Sequence, residues 1–184
     1  MKSIRPGDQA LLEAFVAVFS VEETNFHGQQ NWQPVACQTD AKLLEPLYAA
    51  LPGRFPPLYE RLVLSYRWPT AELPEVPVEK NTWPPSPILL PNPLGKGLEG
   101  LLAAIRSDTG LWDELAPNGY VQFARAWGGS HDPVCFDTRR RQMDGDCPVV
   151  QIDHEGILCN YQIKVAAELA GSFRELIHVS LRQG

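Results

Sequence analysis

Tyr120-Val121-Gln122-Phe123-Ala124-Arg125-Ala126-Trp127, then Gly128-Gly129, then His131-Asp132-Pro133-Val134-Cys135-Phe136-Asp137, then Cys147-Pro148-Val149-Val150-Gln151-Ile152-Asp153 and Ile157-Leu158-Cys159-Asn160-Tyr161: the reading of these runs decides the fold. Short β-rich runs bounded by Gly, Pro and Asp are strand signals. Four of them, followed by an amphipathic segment from Val165 to Leu181, predict an antiparallel meander covered on one face by a closing helix. In that helix Val165, Leu169, Phe173 and Leu176 face the sheet, flanked by Ala166, Ala170 and Ile177. Asp153-His154-Glu155-Gly156 falls between two apolar runs and reads as a hairpin turn, with Gly156 supplying a positive φ.

Working outward, Asp8 is a candidate N-cap for a helix reaching about Phe19, with Leu11, Leu12, Phe15, Val16, Val18 and Phe19 at helical spacing. Glu22 to Gln38 is polar and irregular, with Gly28, Asn31 and Pro34, and reads as a loop. A second helix starts at Thr39 or Asp40 and stops near Leu51, before Pro52-Gly53. It either kinks at Pro46 or is shorter, with Pro46 in its first turn. Pro56-Pro57 open a third helix, Leu58 to Tyr66, which Trp68-Pro69 terminates. Leu98 to Arg106 and Leu111 to Leu115 supply two short helices, and Pro117-Asn118-Gly119 turns the chain into the meander.

Between Pro69 and Pro93 lie eight of the 17 prolines. Each lacks a backbone donor, which argues against a helix or a central strand there. Trp83, Ile88, Leu89 and Leu90 predict an ordered, extended insertion (69–93) pinned by its apolar residues. The Pro84–Pro87 spacing also fits a polyproline ligand, although covering the core suits it better. With 184 residues, 44% hydrophobic and 21% charged, the expectation is one α+β domain over residues 1–184.

The net charge of −6 argues against nucleic acid, whose phosphates demand a basic face. No window is apolar enough to span a bilayer and no leader is apparent, so a cytoplasmic protein with reduced thiols is expected. Cys135, Cys147, Cys159, His131, His154, Asp137 and Asp153 crowd one region, and a metal-dependent hydrolase must be weighed. The cysteines are each twelve apart, with no closely spaced ligand pair, so packing in the sheet core is the preferred reading and no metal or cofactor is expected. A Cys159 nucleophile paired with His154 lacks a group to lower the thiol pKa. Arg139-Arg140-Arg141 could clamp a phosphate or an acidic partner, though a solvated loop of mixed charge is the simpler reading.

Three features resemble the SUKH superfamily, which includes fungal cell-wall synthesis regulators of the Smi/Knr type. They are Leu51-Pro52 through Trp68-Pro69, Tyr120 to Asp137 with its Cys135-Phe136-Asp137 ending, and Val149-Val150 through Asp153-His154-Glu155-Gly156 to Ala170-Gly171-Ser172-Phe173-Arg174-Glu175-Leu176. Ser65-Tyr66-Arg67-Trp68-Pro69 stands where the family has an Asn-Gly-Gly-type turn, as in a divergent branch. The resemblance implies an α+β fold and a non-enzymatic, protein-binding role. The partner would be a protein, such as the nuclease-type toxins that bacterial immunity members neutralise; a regulatory scaffold is the alternative. It carries over no catalytic residues. Loops present recognition groups, so Asp144, Asp146, Asp153 and Glu155 are the candidate partner-binding carboxylates.

Overall fold

The computed structural model describes residues 5–19, 34–78, 85–93, 95–127 and 131–183. Gly28, Asn31, Trp83, Pro84 and Gly128-Gly129 lie outside them, and with them part of the 22–38 loop and the polyproline spacing.

The protein is α+β. Six antiparallel strands run in the order β3-β4-β5-β6-β7-β8, namely Ala71–Glu72, Ser86–Leu89, Tyr120–Trp127, Pro133–Asp137, Val149–Ile152 and Val165–Ala170. A separate pair joins β1 (Val35–Ala36) to β2 (Tyr66–Arg67), so the 22–38 segment contributes a strand where a loop is expected. Helices α1 (Asp8–Ala17), α2 (Leu44–Tyr48), α3 (Pro57–Ser65), α4 (Gly97–Ile105) and α7 (Phe173–Gln183) share the main core with one face of the sheet. Helices α5 (Thr109–Leu115) and α6 (His154–Asn160) bury Leu111, Leu115 and Ile157 on the other face, against Tyr120, Cys135, Val150 and Ile152. Both faces are therefore covered, not one.

Tyr59 and Phe123, Phe136 and Phe173 meet at the centre of the main core. The Phe123 and Phe136 rings stack at 4.0 Å, while Tyr59 and Phe173 meet them edge-on between 5.0 and 5.8 Å. Such edge-to-face sets match the ring quadrupoles and fix the rotamers around them. Phe173 is fully buried at the start of α7, as its helical spacing predicts.

Three readings of the sequence need correction. Val165–Ala170 is strand β8, not the start of the last helix; it pairs with β7, and Gly171-Ser172 separates it from α7. Val165, Ala167 and Leu169 share parity as well as near-helical spacing, and pairing with an open sheet edge decides between the two periods. Ile157–Asn160 belongs to α6 rather than a strand. Asp153-His154-Glu155-Gly156 is that helix's N-terminus, and Gly156 has no positive φ. The proline-rich insertion supplies β3 and an internal strand, β4. Pro87 is tolerated in β4 because its carbonyl accepts from Leu73 N–H at 2.8 Å. Its ring nitrogen therefore faces the β3 side, just past the Glu72–Ile88 pair that ends the regular register, so the missing donor costs the ladder one terminal bond.

Smaller adjustments follow local chemistry. Gly7, at φ 93°, precedes α1 as its N-cap, and Asp8 is the helix's first residue. Asp40 caps a 3₁₀ turn at Ala41–Leu43, and Pro46 sits in the first turn of the short α2, so the shorter-helix alternative holds. The α3 helix ends at Ser65, before Tyr66, because the chain turns there into β2; buried Arg67 donates back to the carbonyls of Val63 and Tyr66. A cation at a helix C-terminus satisfies orphan carbonyls and favours the dipole. Among the described residues no helix is long and apolar enough to cross a membrane.

Candidate functional site

The four candidate carboxylates fall into two groups, separated by at least the length of β7, roughly 13 Å. The first group closes the molecule. Gly145, at φ 90°, turns the 142–146 loop so that Asp146 N–H reaches Asp144 Oδ1 at 3.0 Å. Asp144 Oδ2 pairs with Arg5 at 2.9 Å. Asp146 is buried and its oxygens accept three backbone N–H groups, from Cys147 (2.9 Å), Phe173 (2.9 Å) and Arg174 (3.3 Å). It thus caps α7 from a distant loop, satisfying donors that the first turn leaves open. Arg174 pairs in turn with Asp8 at 2.7 Å, and these groups line one shallow groove with Leu58. Asp144 is exposed; Asp146 is held inside the chain.

The second group is built where β7 ends and α6 begins. Asp153 caps α6, its Oδ1 accepting from Gly156 N–H at 3.1 Å, while Glu155 is exposed in the first turn. Beside them stands Asp132, which the sequence reading passed over. It is buried just before β6, with Oδ1 accepting from His154 N–H at 3.0 Å and lying 2.7 Å from His154 Nδ1. Its Oδ2 accepts from Gln151 Nε2 at 2.6 Å. Two contacts to one carboxylate oxygen, through the amide and the ring, fix the orientation of the His154 imidazole. The exposed His131 ring lies 6.4 Å from that of His154, nearly perpendicular to it.

Donor atoms of Asp132, Asp153 and His154 all lie within 4.8 Å of one another, a spacing that invites a metal. Their hydrogen bonds point elsewhere. Each of the three is already engaged within the chain, His154 Nδ1 by Asp132 and Asp153 Oδ1 by the Gly156 N–H. A divalent ion would also sit at the positive end of α6. The set fits a capping network that fixes the first turn of α6. Cys159 is five residues further along α6 and exposed, about 7 Å up the axis from His154, out of reach for a thiol–imidazole pair.

The other chemistry-bearing residues disperse. Cys135 and Cys147 pack as core residues on opposite faces of the sheet, as expected, whereas Cys159 does not. Burial pushes the Cys147 thiol up to about 12 and raises Cys135 further, so neither is a thiolate. The arginine run braces the fold, which neither sequence alternative foresees. Arg139 grips Asp137 through Nε and Nη2 at 2.8 and 2.9 Å and stacks on Tyr120. Arg140 pairs with Glu168 at 2.6 Å, and Arg141 donates to the carbonyls of Gly145 and Arg54.

Two exposed residues, Leu158 on α6 and Tyr161 at its C-cap, also escaped the sequence reading. Three positions apart, they would point to opposite faces of a strand and share one side only because the segment is helical. Compared with known proteins, the chain matches no family model and no curated sequence.

Proposed function

We propose that this chain is a non-enzymatic, SUKH-type protein-binding domain, acting in the cytoplasm as an immunity protein that occludes a basic, nuclease-type toxin. One observation carries the reading beyond the sequence resemblance: how the surplus negative charge is distributed. Arg5, Arg54, Arg139, Arg140 and Arg174 are each tied to a carboxylate of the same chain. Asp113, Glu114 and Glu155, by contrast, make no ion pair among the described residues. With a net charge of −6, carboxylates without an ion pair among the described residues stand exposed on several helices, Asp113 and Glu155 on α5 and α6 and also Glu13 on α1 and Glu99 on α4. A nuclease must present a basic face to its substrate, and an acidic inhibitor is steered to that face.

The test is kinetic. Association with the toxin encoded beside this protein is measured across a salt series. The expected result is an on-rate that falls steeply with salt, by tenfold or more, and survival of cells that express the toxin. A protein that neither binds nor protects removes the immunity role and favours a regulatory scaffold of the Smi/Knr type.

A further inference from the structure

Tyr161 is the one non-glycine residue with positive φ (53°) among the described residues. It closes α6 through its N–H to the Ile157 carbonyl, at 2.9 Å. A Cβ crowds the neighbouring carbonyl in this left-handed conformation, and glycine would close the helix without that penalty. The tyrosine ring gains no burial in exchange, because the residue is 79% exposed. An exposed aromatic side chain held in an unfavourable backbone conformation indicates a use outside the chain.

Its surroundings fit that use. Leu158, three residues earlier, is 53% exposed and Val165, opening β8, is 44% exposed. Leu158 lies over Gly110 of α5: a Cβ built there would meet Leu158 Cδ2 at 3.5 Å and Asp108 Oδ1 at 3.7 Å. Leu158 and Asp108 are therefore neighbours across the α5–α6 contact. Asp113 and Glu155 are exposed on the same two helices. The platform is fixed at its base by Asp132, which holds both the His154 amide and ring, and by the Asp153 cap.

We infer that Leu158 and Tyr161 are the apolar anchors, and Asp108, Asp113 and Glu155 the acidic rim, of the surface through which this chain grips a basic protein. The inference rests on the protein-binding reading and says where that binding takes place. Charge complementarity names the occupant: Asp108, Asp113 and Glu155 outnumber Lys164, the exposed cation between Tyr161 and Val165, so the segment gripped carries an apolar side chain flanked by lysines or arginines. Apolar anchors inside a charged rim are the usual anatomy of such contacts.

Two measurements decide it. In the first, a short synthetic helical peptide with leucines on one face and lysines on the other is titrated into the full chain and followed by amide NMR. Shifts should concentrate in residues 108–114 and 154–165. Tyr161→Gly, and separately Asp113→Lys with Glu155→Lys, should weaken binding at least about tenfold. Glu13→Lys and Glu45→Lys, exposed acids on α1 and α2, should change it by less than about twofold. Tyr161→Gly also relieves the backbone, so its melting temperature should rise by about 2 °C, which separates lost binding from lost folding. Shifts spread over other elements, or equal weakening by the control charges, overturn the assignment. In the second measurement, the same variants are tested against the neighbouring toxin. If wild type neutralises it and Tyr161→Gly does so equally, the surface is wrong and the protein-binding reading stands. If wild type fails to bind the toxin, the immunity role falls and the peptide titration still decides the surface.

Discussion

Tyr59 sits fully buried among Phe55, Phe123, Phe136 and Phe173, and its hydroxyl finds no hydrogen-bond partner among the described residues. A buried, unpaired hydroxyl is a net cost, while the ring is fully used. Tyr59→Phe should therefore raise stability by about 1 kcal/mol, read as a higher urea midpoint at unchanged slope. Phe173→Ala empties the same cluster and should lower stability by roughly 3–5 kcal/mol in the same assay. For the Asp132–Asp153–His154 set, elemental analysis of protein purified without chelators should find well under one zinc per chain. A stoichiometric zinc lost on His154→Ala would require the capping network to be redrawn as a coordination site. At this scale the aromatic core was legible, since Phe173, Phe136 and Phe123 stand in strongly patterned runs. Asp132 was not. Its role depends on where β7 delivers His154, and no local spacing encodes that.

At the scale of elements, the clearest contrast is between two carboxylates two positions apart. Asp146 is buried and accepts three backbone N–H groups at the head of α7, whereas Asp144 makes an exposed ion pair. Asp146→Ala should destabilise by roughly 2 kcal/mol, the upper end for a lost cap, because it also leaves buried amides unpaired. Asp144→Ala should change stability by under about 1 kcal/mol. Thermal melts of the two variants make the comparison, and equal losses would contradict the assigned cap. The helices α3 and α5 start on chemical signals: Pro57 in the first turn of α3, and Asp108 capping α5 by accepting from Leu111 N–H at 3.2 Å. The β8 strand and α6 exchanged identities for one reason. Short apolar runs do not distinguish helix from strand without their neighbours. In α6 the deciding signal was present but misassigned, since Asp153 before Gly156 is an N-cap pattern as readily as a turn.

For the whole molecule, the α+β class was legible from alternating and helical runs, and the covering of the sheet's second face was not. That layer depends on two seven-residue helices, each burying one or two apolar side chains. The two-sided burial has a titration consequence. Burial raises Cys147 from 9.0 to about 12, and it also lifts Cys135, Tyr48 and Tyr59 above their ordinary values, with a hydrogen bond to Glu60 adding to the effect on Tyr48. These are acids whose neutral form the fold prefers. The unfolded chain therefore releases protons that the folded chain keeps, and stability must fall as pH rises past the unfolded values. Urea melts should show constant thiol and phenol contributions up to about pH 8 and a steady loss above about pH 9. Cys147→Ala should soften the onset.

The clasp joining Asp8, Arg174, Asp146 and Asp144 bears on how the protein is made. Arg174 lies 166 residues downstream of Asp8, and Phe15 of α1 meets Phe173 of α7 edge-on at 6.0 Å. At roughly 5–20 residues per second, α1 leaves the ribosome about ten to thirty seconds before the helix it packs against. Through that interval Leu12, Phe15 and Val16 lack the cover that α7 gives, and α1 is among the last of these helices to be locked in place. A nascent chain should stay sensitive to protease within α1 until α7 has cleared the exit tunnel. A chaperone that holds short apolar helices would find its binding site there.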